Sequence, residues 1–330
     1  MKNAGAGIQP DETLAALARE LQGLGNPIVV FNKSHSGSRL LAAVLAQAGV
    51  FMGSERNESN DAVVLFPVVE ELVRRYYPDY SPLWKRPGDP ALARLVCDAF
   101  GKHLSGHAAQ ARQPWGWKLC ETGYVLPVID ALFPGARYVH LIRDGRDVAF
   151  CDHRGPVEPF WRKVYFDTDR LASWHGLDLT AVDYRRRSHL YNALHWVNAV
   201  RVGRAFSAML RDRCLEVRYE DLCSDFPTTV RNVLHFVGVE DAAQAVIDTL
   251  APTVRYESIG KHRAASARRR RQVLAIERPL LLSLGYLHHD PVPPRPTARA
   301  LLYRALAIAA RRSRSQRARR DQLDGLESLK

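Results

Sequence analysis

Apolar positions along the chain fall into two alternating signatures. Short runs rich in β-branched and aromatic residues (Pro27–Phe31, Trp115–Leu119, Arg137–Ile142 and Cys214–Tyr219) read as strands. Longer stretches carry apolar residues at helical spacing. The first is an amphipathic segment in which Asp11, Glu12 and Glu20 surround Leu14, Leu17 and Leu21. The others are Arg39–Gly49, Ala62–Tyr77, Pro90–Ala111, Tyr124–Leu132, Ser188–Arg211 and Phe226–Val237. Gly49, Phe133-Pro134-Gly135 and Gly238 supply stops, and Pro67 is expected to kink or restart its helix. Strands alternating with helices predict an α/β fold with a doubly wound, mainly parallel sheet. No internal repeat interrupts the pattern.

The most informative junction is the first. The strand ending at Phe31 runs into Asn32-Lys33-Ser34-His35-Ser36-Gly37-Ser38, and a helix follows from Arg39. Such a turn aims uncapped backbone N–H groups at one point, where the helix dipole favours an anion. A cradle for a phosphate or sulfate ester is expected there, against the plainer reading of a crossover in which Ser36 or Ser38 caps the helix. A nucleoside-triphosphate loop needs Gly, four residues, then Gly-Lys-Ser/Thr, and this turn lacks both the first Gly and the Lys.

Composition narrows the setting. The chain has 330 residues, 46% of them hydrophobic and 25% charged, as in a soluble globular protein with one large domain. A net charge of +12 points to anionic partners, although much of the excess sits at the C-terminus. Five scattered cysteines (Cys97, Cys120, Cys151, Cys214, Cys223) form no CxxC pair or Cys/His cluster, which argues against structural zinc and a disulfide framework and for a reducing, cytoplasmic setting. The N-terminus does not read as a signal peptide, and no apolar run is long enough to span a bilayer.

Several stretches, in order along the chain, carry a family resemblance. Arg143-Asp144-Gly145-Arg146-Asp147-Val148-Ala149-Phe150-Cys151, approached through Phe133 to Ile142, resembles the sulfotransferase signature in which an Arg and a Ser eight residues later hold a nucleotide 3′-phosphate. Ser34-His35-Ser36-Gly37-Ser38-Arg39-Leu40-Leu41 is similar to that family's 5′-phosphosulfate loop. Val217-Arg218-Tyr219-Glu220-Asp221-Leu222 and, more loosely, Ser258-Ile259-Gly260-Lys261-His262-Arg263 match as well. The resemblance implies a sheet of P-loop nucleotide-kinase type and 3′-phosphoadenosine 5′-phosphosulfate (PAPS) as donor, with no metal. It implies that Lys33, His35, Ser36, Gly37, Ser38 and Arg39 cradle the 5′-phosphosulfate. Arg143 and Cys151 then fall at the 3′-phosphate and Tyr219 at the adenine, with Lys261, or Arg255 under a different gap, closing over the 3′-phosphate. There are departures: His35 stands where Lys or Arg is usual, Cys151 replaces the serine, Arg39 replaces a threonine, and Cys120 breaks a Lys-x-Pro pattern begun by Lys118.

Sulfuryl transfer, like phosphoryl transfer, needs charge neutralised on the leaving phosphate and a proton taken from the acceptor. Lys33, Arg39 and a protonated His35 suit the first task. For the base, the resemblance to glycan- and protein-modifying members points to the loop after the first helix, which holds Glu55, Glu58 and Asp61; Glu58 is the first choice, with Glu121 and His35 as alternatives. His103, His107, His153 and His195 read as core or surface histidines. Phe160 to Tyr165 with Trp174-His175 fits either an acceptor platform or ordinary aromatic packing, and Arg268 to Arg271 a solvated face. Domain bounds of 1–290 and 291–330 follow from the proline-rich stretch after His288. The basic helical tail beyond it fits peripheral contact with an anionic membrane surface on the inner face, or a partner helix. The acceptor expected is a small molecule or glycan, carbohydrate or glycolipid among them, and no nucleic acid partner is expected. The competing readings are a kinase-like nucleotide-binding protein and a basic nucleic-acid- or membrane-binding protein with a degenerate site.

Overall fold

A computed structural model describes residues 12–78, 89–108, 112–152, 159–166 and 184–287. Four strands form one parallel sheet: β1 (Ile28–Asn32), β2 (Gly116–Lys118), β3 (Arg137–Ile142) and β4 (Cys214–Arg218), in the order β2-β1-β3-β4. Val29 pairs with Trp117 on one side and with Tyr138 on the other, and His140 pairs with Glu216.

Alternate residues of these buried strands point to opposite faces. Val29, Phe31, Trp117, Tyr138 and Ile142 join a core with the helices Glu12–Leu21, Pro90–His103, Leu126–Leu132 and Tyr184–Leu210. Ile28, Val30, Val139, Leu141 and Val217 face the helices Ser38–Gln47, Phe226–Val237 and Ala243–Leu250. Both faces are therefore covered, which explains near-continuous apolar strands rather than polar–apolar alternation.

The chain leaves β1 for β2 on one side, then crosses to β3 on the other. The order reverses at the β1/β3 boundary, and ligands of such sheets bind beyond the carboxyl ends of strands at this switch point. The loops after Asn32 and Ile142 flank it.

The structure refines several boundaries. Pro67 is the second residue of the Phe66–Tyr76 helix, where its missing N–H costs nothing, so it restarts the helix after the turn Val63–Leu65. The helix from Pro90 ends at His103, short of Ala111. Tyr219 opens a short helix, Tyr219–Ser224, instead of closing β4. Two helices unforeseen in the pattern, Ala243–Leu250 and Ala267–Ser283, follow, and Arg268 to Arg271 are exposed at the start of the second. His153, Trp174, His175 and the whole basic tail lie outside the described residues. No helix among the described residues is long and apolar enough to cross a membrane.

Candidate active site

β1 is buried along its whole length and delivers Lys33 into the interior at 2% exposure. The turn is drawn tight by Asn32 Nδ2 donating to the Lys33 carbonyl at 2.6 Å and by the Ser36 amide donating to the same carbonyl at 3.2 Å. His35 and Gly37 take positive φ, 67° and 89°. The helix that starts at Ser38 has no side-chain cap, so the plain capping role of Ser36 or Ser38 is not realised. Ser36 and Ser38 are buried beside it. Gly37 is required on two counts. Besides its φ, a Cβ there would stand 2.2 Å from the Tyr219 ring.

The loop after β3 meets this turn. Arg143 is 4% exposed, and its Nη1 donates to the His35 carbonyl at 3.2 Å. Its Nη2 donates to the Ser258 carbonyl, and the guanidinium lies 4.5 Å from the centre of the Tyr219 ring. Trp196 Nε1 anchors the Arg143 carbonyl at 2.9 Å. Asp147, fully buried, accepts from the Gly260 amide at 2.7 Å, the His262 amide at 3.0 Å and His262 Nδ1 at 2.7 Å. That clasp fastens the Gly260–His262 segment across the site and brings Lys261 Nζ to 2.9 Å from Cys151 Sγ. Arg255 is exposed, and Lys261 is the cation that meets Cys151.

Lys33, His35, Gly37, Arg143, Cys151, Tyr219 and Lys261 thus share one corner at the carboxyl ends of β1, β3 and β4. Arg39 turns outward. It is exposed, and its Nη2 reaches Ser59 Oγ at 3.3 Å, which ties the Ser54–Asp61 loop to the helix start.

Charge in this corner is costly to hold. Burial pushes the Lys33 ammonium down to about 8, against the pull of Cys151, Cys120 and Glu121, and among the described residues it donates to Ser34 Oγ at 3.2 Å. His35 is exposed on the surface of the turn. Even so, partial desolvation, then the repulsion of Lys33, Lys261 and Arg143, pushes its imidazole down to about 4. Partial burial first, and the three neighbouring cations second, disfavour the protonated form on which a charge role for His35 depends.

The acidic candidates separate clearly. Glu55 and Glu58 are exposed, and Glu58 forms no hydrogen bond or ion pair among the described residues. Asp61 is taken by buried Lys118, whose Nζ donates to it at 2.6 Å and to the Ser59 carbonyl at 3.0 Å. Glu121, just past β2, is half-buried and accepts from the Tyr165 hydroxyl at 2.7 Å. Burial holds its carboxyl above the usual range.

His103 donates into the core at the Gly116 carbonyl, 3.0 Å away, and His195 stacks on Tyr165 with ring centres 3.9 Å apart. Trp161 and Tyr165 are buried among other rings, so packing accounts for the described part of that aromatic patch. Sequence reasoning assigned no role to Asp147, His262, Trp196 or Glu220, which accepts from the Asp144 amide at 3.0 Å and from the Tyr286 hydroxyl at 2.8 Å. Only Asp147, four residues after Arg143 on a new helix, carried a local signal.

A sequence model described as "Sulfotransferase family" matches residues 27–243. No curated protein matches the chain. Among solved structures, the sulfotransferase domain of the olefin synthase of Synechococcus PCC 7002 is 16% identical, covers 78% of this chain and 94% of its own, and gives a TM-score of 0.44. The sulfotransferase domain of the curacin biosynthetic pathway is 15% identical, with 86% and 97% covered and a TM-score of 0.41. Sulfotransferase STF9 of Mycobacterium avium is 13% identical, with 86% and 83% covered and a TM-score of 0.44. At that distance these likenesses say nothing of chemistry. The sequence match spans both phosphate-type loops, and by it this chain belongs to the sulfotransferase family.

Proposed function

We propose that the protein moves a sulfuryl group from 3′-phosphoadenosine 5′-phosphosulfate to an acceptor hydroxyl. The observation that carries this is the meeting of the two strand-end loops at the switch point, with Arg143 bonded to the backbone of the 33–37 turn at 3.2 Å. A donor with phosphate-type groups at both ends of one nucleoside fits a corner that gathers cations at both strand-end loops. At one, Lys33 and the uncapped start of the Ser38–Gln47 helix serve the 5′-phosphosulfate. At the other, Arg143, Lys261 and the weak donor Cys151 serve the 3′-phosphate, with Tyr219 beside the adenine.

The residues present suit such a group. Among the described residues the buried Lys33 ammonium donates to the Ser34 hydroxyl, and an incoming anion offsets the desolvation that burial imposes on it. Neutral His35 and the amides from Gly37 to Arg39 offer hydrogen bonds without further charge. The acceptor side takes a small molecule or a glycan.

Calorimetry with 3′-phosphoadenosine 5′-phosphate (PAP) against ATP tests the donor. The protein is expected to prefer PAP, and Arg143→Ala to weaken PAP by about 100-fold or more, the scale of a lost buried charge contact, with little change for ATP. Equal losses for the two nucleotides would refute the assignment of Arg143 to the 3′-phosphate.

A further inference from the structure

Resting on the sulfotransfer reading, we infer that Glu121 is the base that removes the acceptor's proton and that Tyr165 is the residue that positions and tunes it. Glu121 lies in the first turn after β2, whose neighbour β1 leads directly into Lys33. The junction is tight: the Leu119 amide donates to the Val30 carbonyl at 3.2 Å, and Cys120 Sγ lies 3.6 Å from Asn32 Oδ1. A carboxylate in this turn therefore stands beside the start of the anion cradle and within electrostatic range of Lys33.

The groups facing Glu121 come from four elements. Tyr165, on the helix Pro159–Phe166, donates its hydroxyl to Oε1 at 2.7 Å. Asp61 and Lys118 neutralise each other at 2.6 Å, one from the Ser54–Asp61 loop and one from β2. Lys33 and Cys120 complete the shell. Tyr165 cannot swing freely, because its ring is stacked on buried His195 at 3.9 Å and packed against Trp161 at 5.3 Å and Tyr124 at 5.9 Å. The phenol therefore fixes one carboxylate oxygen and with it the plane of the carboxylate. Burial raises the carboxyl above the usual range, while the phenol and the residue's own backbone amide hold it back. Glu58 has none of this support.

In the step itself, the acceptor oxygen forms a bond to sulfur as its proton passes to Glu121. The bond between sulfur and the bridging oxygen breaks, and its electron pair stays on the leaving phosphate. The products are a sulfate ester, the 3′,5′-bisphosphate and one proton later released from Glu121 to water.

The test compares wild type, Glu121→Gln and Tyr165→Phe. PAP binding is measured by calorimetry, and PAP release from PAPS is followed from pH 5 to 9 with water alone and with a panel of alcohols and phenols. Glu121→Gln is expected to bind PAP at least as tightly as wild type, since a negative charge leaves the neighbourhood of Lys33, and to lose about 100- to 10,000-fold in turnover. Tyr165→Phe removes a hydrogen bond to the charged form, so the acidic limb of kcat/KM is expected to move to higher pH. Turnover of Glu121→Gln equal to wild type, or a limb unmoved in Tyr165→Phe, overturns the inference while leaving the donor reading intact. Failure of the wild-type protein to bind PAP or to consume PAPS overturns that reading itself, and the inference with it.

Discussion

Gly37 offers a direct measure of how tightly the two halves of the site are fitted together. Its φ of 89° is left-handed, and a Cβ would fall 2.2 and 2.3 Å from two atoms of the Tyr219 ring. Gly37→Ala therefore carries two separable costs. The backbone term is about 1–2 kcal/mol for a side chain in the left-handed region. The steric term, forcing a ring that is 7% exposed and sits under Arg143, is about 1–3 kcal/mol. Together they amount to roughly 2–5 kcal/mol, a large part of a stability of about 5–15 kcal/mol.

Tyr219→Ala removes the ring and with it the steric term alone. In that background Gly37→Ala is expected to cost only the backbone part, giving a coupling of about 1–3 kcal/mol between the two sites. Urea unfolding of wild type, both single variants and the double variant measures it. Calorimetry on the same proteins is expected to show Gly37→Ala weakening PAP, because a displaced ring disturbs the guanidinium 4.5 Å away. Additive unfolding energies would refute the close fit of the turn against the Tyr219 ring.

Two further outcomes follow from buried charge. Lys33 is pushed down to about 8, so the free site loses its cation as pH rises through that value. PAP affinity is expected to fall above pH 8, and binding between pH 7.5 and 9 to take up protons in buffers of differing ionisation enthalpy. No proton uptake, or an identical pH profile in Lys33→Met, counts against the assignment. Asp147 is held below the usual carboxylate range: burial opposes this, but the hydrogen bonds from His262, with Arg143 nearby, outweigh it. Its contribution is fully present above the unfolded value of about 3.9 and is lost as pH falls through the lower folded value. Asp147→Asn keeps an acceptor for His262 but turns an amide donor toward the Gly260 N–H. It is expected to cost about 1–3 kcal/mol at neutral pH and to flatten the loss of stability below about pH 4, as read by urea unfolding; an unchanged acid limb would place that dependence elsewhere.

Local pattern alone was enough for the strands. β3 has the bounds its apolar run predicts, and β1 is displaced by a single residue, because a strand covered on both faces writes itself as an unbroken apolar run. That Lys33, Gly37 and Arg143 lie in the turns after β1 and β3 was legible for a related reason, since turn geometry and strand-end position are short-range properties. The Tyr219–Ser224 helix was not, because its residues carry no stop before Tyr219 and tertiary packing under Arg143 decides where β4 ends.

What the sequence determined, then, is the order of the elements and the chemical character of each loop. What only the tertiary structure decided is which loops share a corner and which charges survive there. Asp147 clasps Gly260 and His262 from 113 and 115 residues away, and Glu121 meets Tyr165 from 44. The charge state of His35 depends on burial and on Lys33, Lys261 and Arg143 converging from three separate segments. Contacts of this length leave no periodicity to read, and desolvation is a property of the surrounding volume and not of neighbours along the chain.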